Sequence, residues 1–470
     1  MSQPNFNETQ SDKIHPALDF TAEHAYVGQK MHSRSFPYRS NILHIIIDSR
    51  NLIDFRDVTD EIRNIRLRYI DFNMEQRWSR EGIEGFINGA EPVEPSQLFA
   101  RIREIFRAYI ELSDQRLYDF LTLWSIGTYF YWLFNTYPYV YVGGISGSGK
   151  TKLLTLCSYM CFNSVLSADA SLASLFRLIQ STRCSVFIDE SEALSNWYGR
   201  SDLRSLLLSG YKKGQKVYRC RRTDEGNFKT EFFEVYSPKM LVNIEGLESV
   251  LGSRCINIIM QRGSNRKITA REVVIDYPIW QQIRDVIYPF LMKNWKAVRQ
   301  AYNELEDVTD LQNRDWELWK PILSLAFFFD SNTLFQDIKA LAIEQAAERQ
   351  CTGSEIYEVV LVETLLSLVD NDDYYKLADI KREMVENLED HDYLSSRQIG
   401  NLLRRLGFTH SRRMGSGYQY LLQVSKVRKL AQSFGISEVS ECSEGTGEQG
   451  TQTVHDIVEV VEVKECQKEE

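Results

Sequence analysis

Between residues 137 and about 262 the chain alternates short apolar runs with longer segments whose apolar residues recur every three or four positions. The runs at 138–143, 163–167, 184–188, 239–243 and 255–260 read as strands, and the segments 149–162, 171–181 and 201–210 read as helices. Strand and helix in alternation predict a parallel sheet covered by helices, so the fold class is α/β. Upstream, "QLFARIREIFRAYIEL" sets apolar residues at 98, 99, 102, 105, 106 and 109, one stripe of a helix for which Ser96 is the expected cap. A buried helix over about 115–134 follows, and helical sequence resumes from about 279 to 348. Residues 1–40 are polar and read as a flexible N-terminus. Residues 41–95 read as a small α+β region, strand-like at "NILHIIIDSRNLIDF" and closed by the joint "AEPVEPSQ".

Composition adds little until charge is divided along the chain. The formal charge is −10, but the tail after Ser437 carries ten acidic and two basic residues, a net −8. The remaining body is close to neutral, so local basic patches matter. The tail, 436–470, reads as disordered. Eight cysteines form no C-x-x-C pair, which favours reduced thiols in an intracellular, cytoplasmic protein over a disulfide framework or zinc site. Residues 120–149 carry no charge, enough to span a bilayer. Asn135, Pro138 and the glycines that follow argue instead for a buried helix and strand, and no membrane partner is expected.

The chemistry begins at "GISGSGKT", where Gly144, Gly147, Ser148, Gly149, Lys150 and Thr151 fit the G-x-x-x-x-G-K-[ST] phosphate loop. Glycines let backbone N–H groups face an anion, and the next helix points its positive end the same way. Lys150 is expected at the β- and γ-phosphates of ATP and Thr151 at Mg²⁺. The competing reading is a glycine-rich turn with a surface lysine. "CSVFIDES" is an apolar strand ending in Asp189 and Glu190, placed to hold the magnesium through water and to activate a water molecule. Asn243 ends another short strand, and Arg254 stands immediately before a third. For these two the competing readings are a turn asparagine and a surface ion-pairing arginine.

Phosphate loop, Asp-Glu strand, Asn strand and Ser-Arg ahead of a last strand together resemble the AAA+ ATPases. The resemblance is to modules of mobile-element and viral replication proteins, distantly similar to the MCM helicases, and it covers about 100–435. It implies an AAA+ P-loop three-layer domain with a helical lid, here 136–350, entered through the helical segment 96–135. It further implies homo-oligomeric rings with sites between subunits, Arg254 acting on a neighbour's nucleotide, and Arg314 in "LQNRDWELWKPILSLA" as a sensor arginine on a lid helix.

Two regions point to DNA. "KVYRCRR" and "NFKTEFFEV" read as a hairpin, with Lys212, Lys213, Lys216, Arg219, Arg221 and Arg222 crowding its first arm and Tyr211 and Tyr218 interleaved. In MCM-like ATPases a hairpin at this point grips DNA in the ring pore. Residues 355–435 read as three helices and a two-stranded ribbon, the winged-helix arrangement. "LSSRQIGNLLRRLGF" reads as its recognition helix, with Arg397, Arg404 and Arg405 outward and Arg412 and Arg413 on the wing. A solvated basic face and a protein-contact module are the plainer alternatives. The resulting expectation is an ATP-hydrolysing DNA helicase or translocase of a replicating mobile or viral element. It would hold single-stranded DNA in the pore and duplex at the winged helix. The alternative is an ATP-dependent DNA-binding switch without unwinding. A remodeller of protein substrates is disfavoured by the basic character of the pore loop.

Overall fold

Regular structure begins inside the segment expected to be flexible. The structure, a computed structural model, describes residues 13–31, 42–55, 66–67, 75–167, 172–189, 201–222, 228–242, 249–306, 310–351, 354–386, 395–415, 417–433 and 436. The chain divides into two compact units, Met1–Cys351 and Thr352–Glu470. In the first, β1 (Lys13–Ile14), β2 (Leu18–Phe20) and β3 (Ala25–Met31) precede β4 (Ile42–Ile47), β5 (Asn51–Phe55) and β6 (Arg66–Leu67). Strands β2 to β5 form an antiparallel sheet in chain order, and β1 pairs with β6 in parallel. The flexible reading therefore fails over 13–31, and the reason is two-sided burial. Alternation sends Ala25 and Val27 into the main core and Tyr26 into a second cluster with Ile14, Ile45 and Ile47. Polar contacts fasten the sheet: Trp295 Nε1 donates to Asp48 at 2.7 Å and Arg299 to the Thr21 carbonyl at 2.9 Å.

Helices α1 (Arg80–Ile87), α2 (Pro95–Tyr109) and α3 (Gln115–Gly127) follow. Ser96 is not the cap of α2: Glu94 holds that place, and Pro95 opens the helix where its missing N–H costs nothing. The uncharged run is a buried helix end, a short 3₁₀ turn (Tyr131–Leu133) and a strand. Trp124 Nε1 donates to the Pro138 carbonyl at 2.9 Å, and its ring meets Phe187 edge-on. Among the described residues no helix is long and apolar enough to cross a membrane.

Next come β7 (Tyr139–Gly144), α4 (Lys150–Met160), β8 (Val165–Ser167), α5 (Leu172–Thr182) and β9 (Val186–Ile188). Helix α6 (Ser201–Ser209), the hairpin β10 (Lys216–Arg222) and β11 (Phe228–Glu234), β12 (Lys239–Val242), α7 (Ser249–Gly252) and β13 (Cys255–Met260) complete the sequence of strands. The five long-range strands make one parallel sheet in the order β13-β7-β12-β9-β8. Beyond it lie α8 (Arg266–Thr269), α9 (Pro278–Glu304), α10 (Asn313–Phe329) and α11 (Thr333–Cys351). Helix α11 covers the open edge of β13: the Gln345 amide bonds both the N–H and the carbonyl of Asn257, at 3.3 and 2.8 Å.

The second unit runs α12 (Ser354–Leu368), β14 (Asp373–Lys376), α13 (Leu377–Glu386), α14 (Ser396–Arg405), β15 (Ser411–Met414), β16 (Gly417–Leu422) and α15 (Val424–Ser433). Its antiparallel sheet has the order β14-β16-β15, so the expected two-stranded ribbon gains a third strand. Leu361, Ile380, Ile399, Leu403, Tyr420 and Leu422 form its core. The acidic tail lies outside the described residues, apart from Ile436.

One buried charge sits beneath the hairpin. Lys239, at the start of β12, is fully covered, and its Nζ bonds the carbonyls of Gly210, Val235 and Ser237 at 3.1–3.4 Å and the Ser237 hydroxyl at 3.0 Å. Burial pushes its pKa down to about 7 against that cage of oxygens. The unfolded chain binds this proton up to the ordinary lysine range, so stability should rise with pH from about 7 toward 10. Chemical denaturation at pH 7 and pH 10 should show a gain of about 2–4 kcal/mol in the wild type that Lys239→Met lacks.

Candidate functional site

The end of β7 turns sharply because β13 presses on it. Gly144 has φ +130°, and an added Cβ would lie 2.2 Å from the Met260 carbonyl oxygen, a position no other residue can fill. Gly147 and Gly149 also take left-handed values, 77° and 91°, and Gly149 hands the chain to α4 without a side-chain cap. The first N–H groups of α4 therefore open into the hollow of the loop. Lys150 is buried and spans that hollow, its Nζ donating to the Gly144 and Ile145 carbonyls at 2.7 and 2.8 Å. Ser148 Oγ is buried with no partner among the described residues, and Thr151 is exposed on the first turn of the helix. An orphaned hydroxyl, uncapped amides and a lysine fit a polyphosphate, with the Thr151 hydroxyl available to a magnesium ion.

Because β9 runs parallel to β7, Asp189 leaves its strand on the same edge of the sheet as the loop, half-buried, two strand spacings or about 10 Å away. Glu190 and Asn243, the expected partners, lie outside the described residues. One residue beside this loop escaped the sequence reading. Arg262, just past β13, donates from Nε and Nη2 to the Ser146 carbonyl at 3.3 Å, a guanidinium on the loop itself. The signal was a basic residue two positions past the strand that abuts the loop.

Arg254 and Arg314 occupy the opposite edge. The Arg254 carbonyl accepts from Tyr139 N–H at the entry to β7, so Arg254 stands roughly 17 Å of strand away from its own loop. Arg314, at the start of α10, lies over the Tyr211 ring at 5.2 Å and pairs with Glu317 at 3.5 Å, beside Lys212. Burial lowers the Arg254 pKa, and the like charge of Arg314 lowers it further. Neither arginine reaches the glycine loop of its own chain. Together they form a cationic pair facing away from it.

The hairpin sorts its basic residues. Val217 and Phe233 are buried, and Arg219 shares their side of the ladder, lying over Phe176 at 4.8 Å. Lys213 lies over the Trp132 ring, its Nζ donating to that carbonyl at 2.7 Å, and the residue stays exposed. Lys212 pairs with Glu317 at 3.1 Å yet stays exposed, as do Lys213 and Lys216, and Tyr211 is buried. The side chains of Arg221 and Arg222 lie outside the described residues. On the outer face Tyr218 stands opposite Phe232, 61% and 39% exposed, with Lys216 Nζ 4.3 Å from the Phe232 ring centre. Phe232 was not singled out in the sequence.

In the second unit Arg397, Arg404 and Arg413 are exposed. Arg405 and Arg412 are exposed as well but have partners within the unit: Arg405 pairs with Glu358 at 2.7 Å, and Arg412 lies over the Tyr374 ring at 3.8 Å and bonds Gln419. Among the described residues no cluster of metal-ligating side chains occurs, and Cys157, Cys161, Cys184, Cys220 and Cys255 are free thiols.

No protein-family model matches this chain, and no curated protein matches it. Among solved structures it is similar to the SCCmec type IV Cch active helicase, at 13% identity and TM-score 0.40, over 83% of this chain and 78% of that one. It is similar to the A-form apo C-terminal region of NrS-1, at 12% identity and TM-score 0.32, over 81% of this chain and 94% of that one. A third is Cdc6p from Pyrobaculum aerophilum, at 12% identity and TM-score 0.15, over 73% and 100%.

The contact at Gly144 is testable alone. Gly144→Ala should destabilise the first unit by about 2–4 kcal/mol in thermal or chemical unfolding, through strained backbone and the clash with Met260. A variant as stable as the wild type would contradict this loop geometry.

Proposed function

We propose that the chain is an ATP-hydrolysing DNA helicase or translocase of the AAA+ kind. The observation that carries the reading is the meeting, on one edge of a parallel sheet, of an uncapped glycine loop holding Lys150 with the carboxylate of Asp189. Lys150 neutralises phosphate charge while the α4 amides and Ser148 orient it. Bound Mg²⁺ would supply further charge neutralisation, with Thr151 and Asp189 as its protein oxygens. Glu190 is assigned the attacking water and Asn243 its positioning. Arg254 and Arg314 lie too far from their own loop and repel one another, so an anion from a second copy suits them. That supports a homo-oligomeric ring in which each loop is completed by a neighbour.

DNA is the proposed track. The outer hairpin face offers an aromatic pair beside Lys216, a platform for stacked bases that a merely solvated basic face does not require. The second unit, with a helix, strand, two helices and a hairpin, is read as a winged helix holding duplex through Arg397, Arg404 and Arg413.

ATP turnover measured with and without single-stranded DNA across a salt series tests the reading. Strong stimulation that fades as salt rises is expected; DNA binding without any change in turnover would favour the switch, and indifference to DNA would remove the track. In the same assay Lys150→Ala should lower turnover at least about 100-fold. Tyr218→Ala and Phe232→Ala should each weaken single-strand affinity by about 1–3 kcal/mol and leave turnover without DNA intact. A mixing experiment tests the shared site. Lys150→Ala and Arg254→Ala proteins, each inactive alone, should recover turnover when combined, since some contacts then join an intact loop to an intact arginine. Absence of recovery would confine Arg254 to a structural role.

A further inference from the structure

Helix α14 leaves one polar stripe uncommitted. Ser395 and Gln398 are consumed by a capping box, with Ser395 N–H donating to Gln398 Oε1 at 2.8 Å and Gln398 N–H to Ser395 Oγ at 3.3 Å. Arg405 is held by Glu358, and Ile399, Leu402 and Leu403 are buried. Arg397, Asn401 and Arg404 remain, all exposed and spaced i, i+4, i+7 along one face. Arg404 Nη1 donates to Asn401 Oδ1 at 3.1 Å, which ties the amide oxygen and leaves its NH₂ without a partner among the described residues.

We propose that Asn401 reads an adenine in the major groove of duplex DNA, with Arg404 as its positioning residue. The inference rests on the reading of the second unit as a duplex binder and adds the base it selects. Adenine presents the N7 acceptor and the N6 amino donor in that groove, the complement of an asparagine amide. The carbonyl oxygen of the amide has two lone pairs, so the bond from Arg404 leaves one for the adenine amino group. Guanine would set its O6 acceptor against that oxygen. The stripe from 397 to 404 rises about 10 Å, which spans three base steps and leaves an arginine on each side of the reading amide. An RNA duplex is the poorer partner, since its deep narrow major groove does not admit a helix.

The test uses the full chain without nucleotide and a library of randomised blunt DNA duplexes at about 150 mM salt. The wild type should retain duplexes with adenine at one fixed position, and changing that adenine to guanine should weaken binding roughly 5- to 150-fold by fluorescence anisotropy. Asn401→Ala should erase the preference at that position alone. Asn401→Asp, which only accepts, should move the preference toward cytosine. Arg413→Ala, removing a wing charge, should weaken all sequences alike. A wild type that holds duplex without base preference, or an Asn401→Ala protein that still selects adenine, overturns the inference. Failure of the underlying reading looks different: the wild type would then retain no duplex even at low salt.

Discussion

Everything placed at the candidate phosphate site depends on five strands running in the same direction. In a parallel sheet all carboxyl ends share one edge, so the residues that follow β7 and β9 meet there although they are remote in sequence. The order of strands then sets detail. With β13 beside β7, the Met260 carbonyl sits where a Cβ on residue 144 would be, and glycine becomes obligatory. With β12 between β7 and β9, the carboxylate is held one strand further out than direct contact with the loop would need, leaving space for a ligand and its waters.

The amino ends of the same strands carry a different chemistry. There Arg254, Arg314, Tyr211, Glu317 and Lys212 gather, and Lys239 anchors the residues from which the hairpin emerges. Trp132 links this edge to the N-terminal sheet: Arg183 stacks on it at 3.4 Å, Lys213 lies over it at 4.7 Å, and Arg183 pairs with Asp19 at 3.5 Å. The two edges are thus distinct in kind, one open and rich in backbone donors, the other cationic and braced by aromatic rings.

The parallel sheet was legible because its strands are apolar runs bounded by glycine, proline and charge, and the sheet buries both faces. The N-terminal strands were not. In "AYVGQKM" the small and polar residues disguise a strand whose burial depends on partners outside its own segment, such as Ile46, nineteen positions on, opposite Val27. Strand β14 is four residues long and half tyrosine, too short to carry a period. At the candidate site, the loop and Asp189 stood out as residue types, since phosphate and magnesium binding would demand those types. Side-chain direction was not. In "GYKKGQKVYRCRR" residue type does not separate Arg219, half-buried over Phe176, from Lys213 and Lys216, which stay exposed. Likewise adjacent Arg404 and Arg405 point to different employments, because one helical position rotates a side chain by about 100°.

The separation of Arg254 from its own loop has an arithmetical consequence under the proposed ring. A solitary copy holds two unlike halves and no whole site; an open arc of n copies holds n − 1 whole sites, and only closure supplies the last. Specific activity per chain would then climb with protein concentration and level off once the circle is complete, so dilution alone would act as an off switch.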